Sequence, residues 1–93
     1  MDTRFYILIS IKTPEGIESF AQFFIGNDRQ RGYAIFSQLK GTDETDEGKL
    51  LYMEFMEMVN ELPVNLKIIH CNLDQLAENC RIITKEIFKL ANL

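Results

Sequence analysis

Histidine occurs once in this chain and cysteine twice, which leaves little material for the commonest side-chain chemistries. A tetrahedral zinc site takes about four ligands at close spacings. His70, Cys71 and Cys80 supply three, and adjacent residues on a strand point to opposite faces, so no metal is expected. The Gly-rich phosphate loop, the Gly-x-Ser-x-Gly elbow and the His-Glu-x-x-His pair are also missing, and no cofactor is expected. Two cysteines without a framework of spacings fit reduced thiols.

No stretch approaches the roughly 18 apolar residues of a spanning helix. The opening MDTRFYILISIK lacks both the basic segment and the small-residue cleavage site of a secretory leader. The expectation is a cytoplasmic protein without membrane association. Basic charge is scarce too: 10 Lys and Arg stand against 14 Asp and Glu, for a net charge of −4. That balance opposes the phosphate attraction that dominates nucleic-acid affinity, and the signature peptides of an RNA-binding sheet are absent, so nucleic acid is not an expected partner.

What is present is apolar. With 46% hydrophobic residues in 93, the chain reads as a single folded domain, 1–93, able to bury about 60 to 65% of its unfolded surface. In RFYILISIKT the apolar and β-branched residues alternate, placing Phe5, Ile7, Ile9 and Ile11 on one face and Tyr6, Leu8 and Ser10 on the other. Pro14 and Gly16 suit a tight turn, and IESFAQFFIG returns as the second arm of a hairpin. Asn27 and Gln30 form an Asn-x-x-Gln capping pattern ahead of Tyr33, Phe36 and Leu39, which predicts a helix from about 28 to 39 that stops at Gly41.

Asn72 and Gln75 repeat that pattern in HCNLDQLAEN, and Leu73, Leu76, Ala77, Cys80, Ile83, Ile87 and Leu90 then recur at helical spacing to about residue 91. Segment 50–62 is ambiguous. On a helical wheel Glu47, Glu54, Glu57 and Glu61 gather on one side and Leu51, Phe55, Met58, Val59 and Leu62 on the other; read as a strand it pairs with VNLKIIHC through the turn residues NELP. The repeated cap favours two ββα units end to end, giving an α+β fold: a four-stranded antiparallel sheet with two helices on one face, ββαββα. The alternative is ββααβα with three strands.

Chemical candidates are few. Cys71 stands just before a helix N-terminus, where the dipole lowers a thiol pKa, but no second histidine serves as its base, and a cysteine ending a strand is commonly a small buried hydrophobe. The stretch from Asp43 to Glu54 has the length and part of the pattern of a calcium loop, yet Thr45 and Glu47 occupy ligand positions where Asp or Asn is expected. Arg81, Lys85 and Lys89 interleave with Glu78 and Glu86, as on an ordinary solvated helix face.

The anomaly lies in the sheet. With both helices on the face of Phe5, Ile7, Ile9, Ile11, Ala21, Phe23 and Ile25, the opposite face should be polar. Instead it is expected to carry Tyr6, Leu8, Phe20, Phe24, Tyr52, Met56, Met58 and Ile69, more apolar surface than a soluble monomer normally leaves bare. The expected function is a non-catalytic interaction or assembly module that uses this face, with a second copy or another protein as partner. The alternative is a small enzyme or ligand binder with its site near Cys71, at the start of the C-terminal helix. A monomer in which the acidic loop or the terminus folds across the sheet, or in which 50–62 is a helix that covers it, is the competing arrangement.

Overall fold

A computed structural model describes residues 3–42 and 50–90. Among these residues the elements follow the order β1 (Thr3–Thr13), β2 (Gly16–Gly26), α1 (Arg29–Phe36), β3 (Leu51–Val59), β4 (Leu62–Cys71) and α2 (Leu73–Leu90). All neighbouring strands are antiparallel, in the spatial order β2-β1-β3-β4. The fold is therefore α+β with ββαββα order. The three-strand alternative is excluded, because residues 51–59 are extended.

β3 looks helical in sequence because it carries apolar residues on both of its faces, Met53 and Phe55 toward the helices and Met56 and Met58 on the other side, so its pattern loses the clean alternation of a half-polar strand. Met53 and Phe55 enter the core, while Glu54 and Glu57 fall on opposite faces. The spacing of those acids suggests a helix only if β3 is considered without its neighbours.

Both hairpins close in two residues. Pro14 and Glu15 join β1 to β2. Asn60 and Glu61, with φ of 52° and 66°, join β3 to β4; two successive left-handed residues produce the turn whose twist matches the flanking strands.

Helix α1 is capped one residue later than the sequence pattern suggests. Asp28 Oδ1 accepts from the backbone N–H of Gln30 at 2.9 Å and of Arg31 at 3.4 Å, whereas Asn27 donates through Nδ2 to the Thr3 carbonyl at 2.9 Å. Asn27 thus ties the end of β2 to the start of β1, and the neighbouring carboxylate takes over the cap. The helix is also shorter than expected, since after Phe36 the chain tightens into i to i+3 bonds from Gln38 to Ile35 and from Leu39 to Phe36. At α2 the expected box forms in full: Gln75 N–H donates to Asn72 Oδ1 at 2.8 Å, and Asn72 N–H donates to Gln75 Oε1 at 2.9 Å.

Both helices lie on the face of Phe5, Ile7 and Ile9, and the core adds Ile25, Ile35, Phe36, Met53, Phe55, Cys71 and Ile83. Burying each large side chain of this kind contributes about 1.5–3 kcal/mol. Helix α1 approaches closely because Gly32 has no side chain: a Cβ there would lie 2.7 Å from the Phe55 ring. Phe36 stacks on that same ring at 5.5 Å and Tyr33 meets it edge-on at 4.9 Å. Leu73, grouped by spacing with the buried stripe of α2, is exposed at the first turn.

Candidate functional site

The face of the sheet opposite the helices, on which no other described element packs, is assembled by register. Tyr6 stands between Phe24 of β2 and Met56 of β3, and Met56 opposes Asn65 of β4. On one side of this row lie Gln22, Leu8, Glu54 and Ile68, and on the other Arg4, Met58 and Pro63. The Tyr6 and Phe24 rings are 5.4 Å apart. Arg4, Tyr6, Leu8, Gln22, Met56, Met58, Glu61 and Pro63 line an open groove of about 400 Å³. Phe20 borders a second depression with Leu8 and Gln22 and is 57% exposed, while Phe24 is 50% exposed.

Six of the eight residues expected on this face therefore flank it together: Tyr6, Leu8, Phe20, Phe24, Met56 and Met58. Tyr52 also points to this side, opposite Ser10 and His70, but it is only 9% exposed and packs edge-on against the His70 ring at 4.7 Å. Ile69 is a correction. It opposes Met53 and packs against the core on the helix side, and Ile68 takes the outward position, 42% exposed.

The cause is a β-bulge. A regular hairpin closed by Val59 opposite Leu62 carries Tyr52 opposite Ile69. In β4 an extra residue, Leu66, enters where Phe55 opposes Lys67 and Met56 opposes Asn65. One inserted residue inverts the face of everything beyond it, so Ile69 turns inward while Ile68 and His70 turn outward.

Two interactions on the helix side had no expectation from sequence. Glu57 faces the helix layer at 6% exposure and accepts from Arg29 Nε at 3.1 Å and from Arg29 Nη2. The hydrogen bond and charge of Glu57 raise the Arg29 pKa above its already high ordinary value. Asn79 is fully buried among the apolar positions of α2; its Oδ1 accepts from Lys40 N–H at 2.6 Å and its Nδ2 donates to the Lys40 carbonyl at 2.8 Å. The signal for each was a polar residue at an apolar position of its element: an acid among the inward residues of β3, and an amide between Leu76 and Ile83.

Cys71 and His70 do not form a catalytic pair. Cys71 is 1% exposed within the core, while His70 stands on the opposite face with Tyr52, its Nδ1 buried without a hydrogen-bond partner. The His70 backbone is engaged at the sheet edge, exchanging hydrogen bonds with Thr42 at 2.7 and 2.9 Å. Neither cysteine is in a disulfide, and burial pushes the Cys80 thiol pKa up, away from reactivity. Among the described residues, no three His, Cys, Asp or Glu side chains converge on a metal position. Of the calcium-loop reading, Asp43 to Glu54, residues 43–49 lie outside the described residues, as does the acidic loop that would cross the sheet, while residues 51–54 are part of β3. No helix among the described residues is long and apolar enough to cross a membrane. No family model, curated protein or solved structure matches the chain.

Proposed function

We propose that this chain is a non-catalytic interaction or assembly module whose working surface is the sheet face opposite α1 and α2, and that it acts as a two-fold homodimer. The observation that carries the reading is the continuous row Phe24, Tyr6 and Met56, with Leu8 and Met58 on either side, on a sheet whose helices both occupy the opposite face. A self-complementary apolar patch is covered at both surfaces by a second copy. Four strands about 4.8 Å apart and about 30 Å long present a projected area of roughly 600 Å². Side-chain relief brings the accessible area toward the roughly 800 Å² per partner of a standard interface.

The sheet edges are poorer candidates for association. Strand β2 carries register shifts opposite Phe5/Tyr6 and Ile9/Ser10, and β4 carries the bulge at Leu66 together with Pro63 and the Thr42 bridge. Bulges, proline and covering segments are the devices that keep edges from pairing with other chains. Among the described residues, no segment covers the face opposite the helices.

Sedimentation velocity of the whole chain across a wide concentration range tests the reading. A dimer is expected, and Phe24→Lys and Met58→Lys, both on the sheet surface away from the helices, should shift it to monomer without lowering helix content. Monomers at every concentration up to about millimolar would remove the proposal.

A further inference from the structure

We infer that Met56 and Met58 form an oxidation-sensitive pair on the sheet face, and that conversion of their thioethers to sulfoxides by a hydroperoxide separates the two copies. This rests on the homodimer reading and adds a chemical control of the same face. The two side chains are successive outward positions of β3, opposite Tyr6 and Arg4 of β1, and both line the open groove. Each is partly exposed, so in the separate chain a small oxidant has a path to the sulfur.

Met53, on the same strand, is the internal control. It faces the helices with no accessible surface, and its sulfur is already engaged by Asn79 Nδ2 at 3.2 Å. The cysteines are also protected: Cys71 is sealed in the core, and burial raises the Cys80 pKa and so depletes the thiolate that peroxide attacks. Peroxide chemistry among the described sulfurs is thereby directed to the face.

In the reaction a sulfur lone pair attacks one peroxide oxygen; the S–O bond forms as the O–O bond breaks, and the departing hydroxide takes the proton of the transferred oxygen and leaves as water. Sulfur loses the electron pair that the peroxide gains. The product is a polar, chiral side chain bearing a strong acceptor and one additional heavy atom. In a packed interface that acceptor loses its water and the added atom overfills its site, so both effects oppose the dimer. Conversely, the dimer encloses the groove and shields the sulfurs. Oxidation and assembly therefore compete for the same surface.

Hydrogen peroxide treatment of the full chain, with peptide mass mapping and sedimentation equilibrium, tests the pair. Met56 and Met58 should each gain one oxygen before Met53 does, more slowly as protein concentration rises, and the dimer dissociation constant should increase at least about thirtyfold. The double variant Met56→Leu with Met58→Leu keeps size and apolarity, as well as both cysteines, and should dimerise within about threefold of wild type and ignore the oxidant. Should that variant not fold, methionine sulfoxide reductases acting on the oxidised wild type should restore the dimer. A dimer unchanged after both sulfurs are oxidised overturns the inference and leaves the homodimer standing; so does equal dissociation of the leucine variant in peroxide, failure of the reductases to restore the dimer, or oxidation of Met53 at the same rate. An untreated wild type that is monomeric overturns both readings.

Discussion

Replacing Asn79 by alanine should cost this domain a substantial part of its stability. The side chain is fully buried, and its two hydrogen bonds to Lys40 join α2 to the segment between α1 and β3. Each bond of this type contributes about 1 kcal/mol net. The truncation also leaves a void of roughly 40 Å³ beside Met53, whose sulfur lies 3.2 Å from Asn79 Nδ2; at about 24 cal/mol per Å³ that adds about 1 kcal/mol. The expected loss is about 3 kcal/mol, against a total of roughly 5–14 kcal/mol for a domain of this length. Urea unfolding followed by far-UV circular dichroism measures it as a lowered midpoint at unchanged slope. Asn79→Asp is the informative companion, because it keeps the acceptor for Lys40 N–H but turns a carboxylate oxygen toward the Lys40 carbonyl, and it should be at least as damaging as alanine. A loss below about 1 kcal/mol for Asn79→Ala would refute the reasoning, by showing that water replaces the Lys40 bonds without cost.

Gly41→Ala should open the edge of β4, because the new Cβ would lie 2.6 Å from the His70 carbonyl oxygen, a backbone atom with little freedom to move. The expected sign is faster amide hydrogen exchange at Thr42 and His70, with about 1–3 kcal/mol of destabilisation. In the β3–β4 turn, Glu61→Gly should stabilise by about 0.5–1 kcal/mol by relieving the left-handed conformation of Glu61 and creating the Asn-Gly pair favoured in such turns; an unchanged urea midpoint would count against that account. Thiol titration of the native protein with a chromogenic disulfide should find Cys71 unreactive until unfolding, because it is core-buried. Cys80 should react slowly at neutral pH and faster as pH rises toward its raised pKa. Rapid native labelling of Cys71 would instead revive a site at the start of α2.

Several elements were legible in the residues because their cause is local. Alternation along β1, the reciprocal Asn72 and Gln75 cap and the apolar stripe of α2 depend on neighbours a few positions away. So did most of the candidate face: once two hairpins are granted, Tyr6, Leu8, Phe24, Met56 and Met58 follow from strand parity. Parity fails where a residue is inserted. Ile69 went to the wrong side because nothing in VNLKIIHC announces that Leu66 will be skipped. The cap of α1 moved by one position for a related reason: Asn27 and Asp28 are both competent, and the choice between them was made by the Thr3 carbonyl, distant in sequence.

By itself, then, the sequence determined which segments bury one side, where the chain turns and how α2 begins, because side-chain period and capping act within a few residues. Tertiary structure alone decided that 51–59 is a central strand, that Glu57 meets Arg29, that Asn79 holds Lys40 and that Ile68 rather than Ile69 looks outward. Each of those outcomes depends on groups brought together from remote parts of the chain, where one bulge or one unpaired polar atom outweighs local preference.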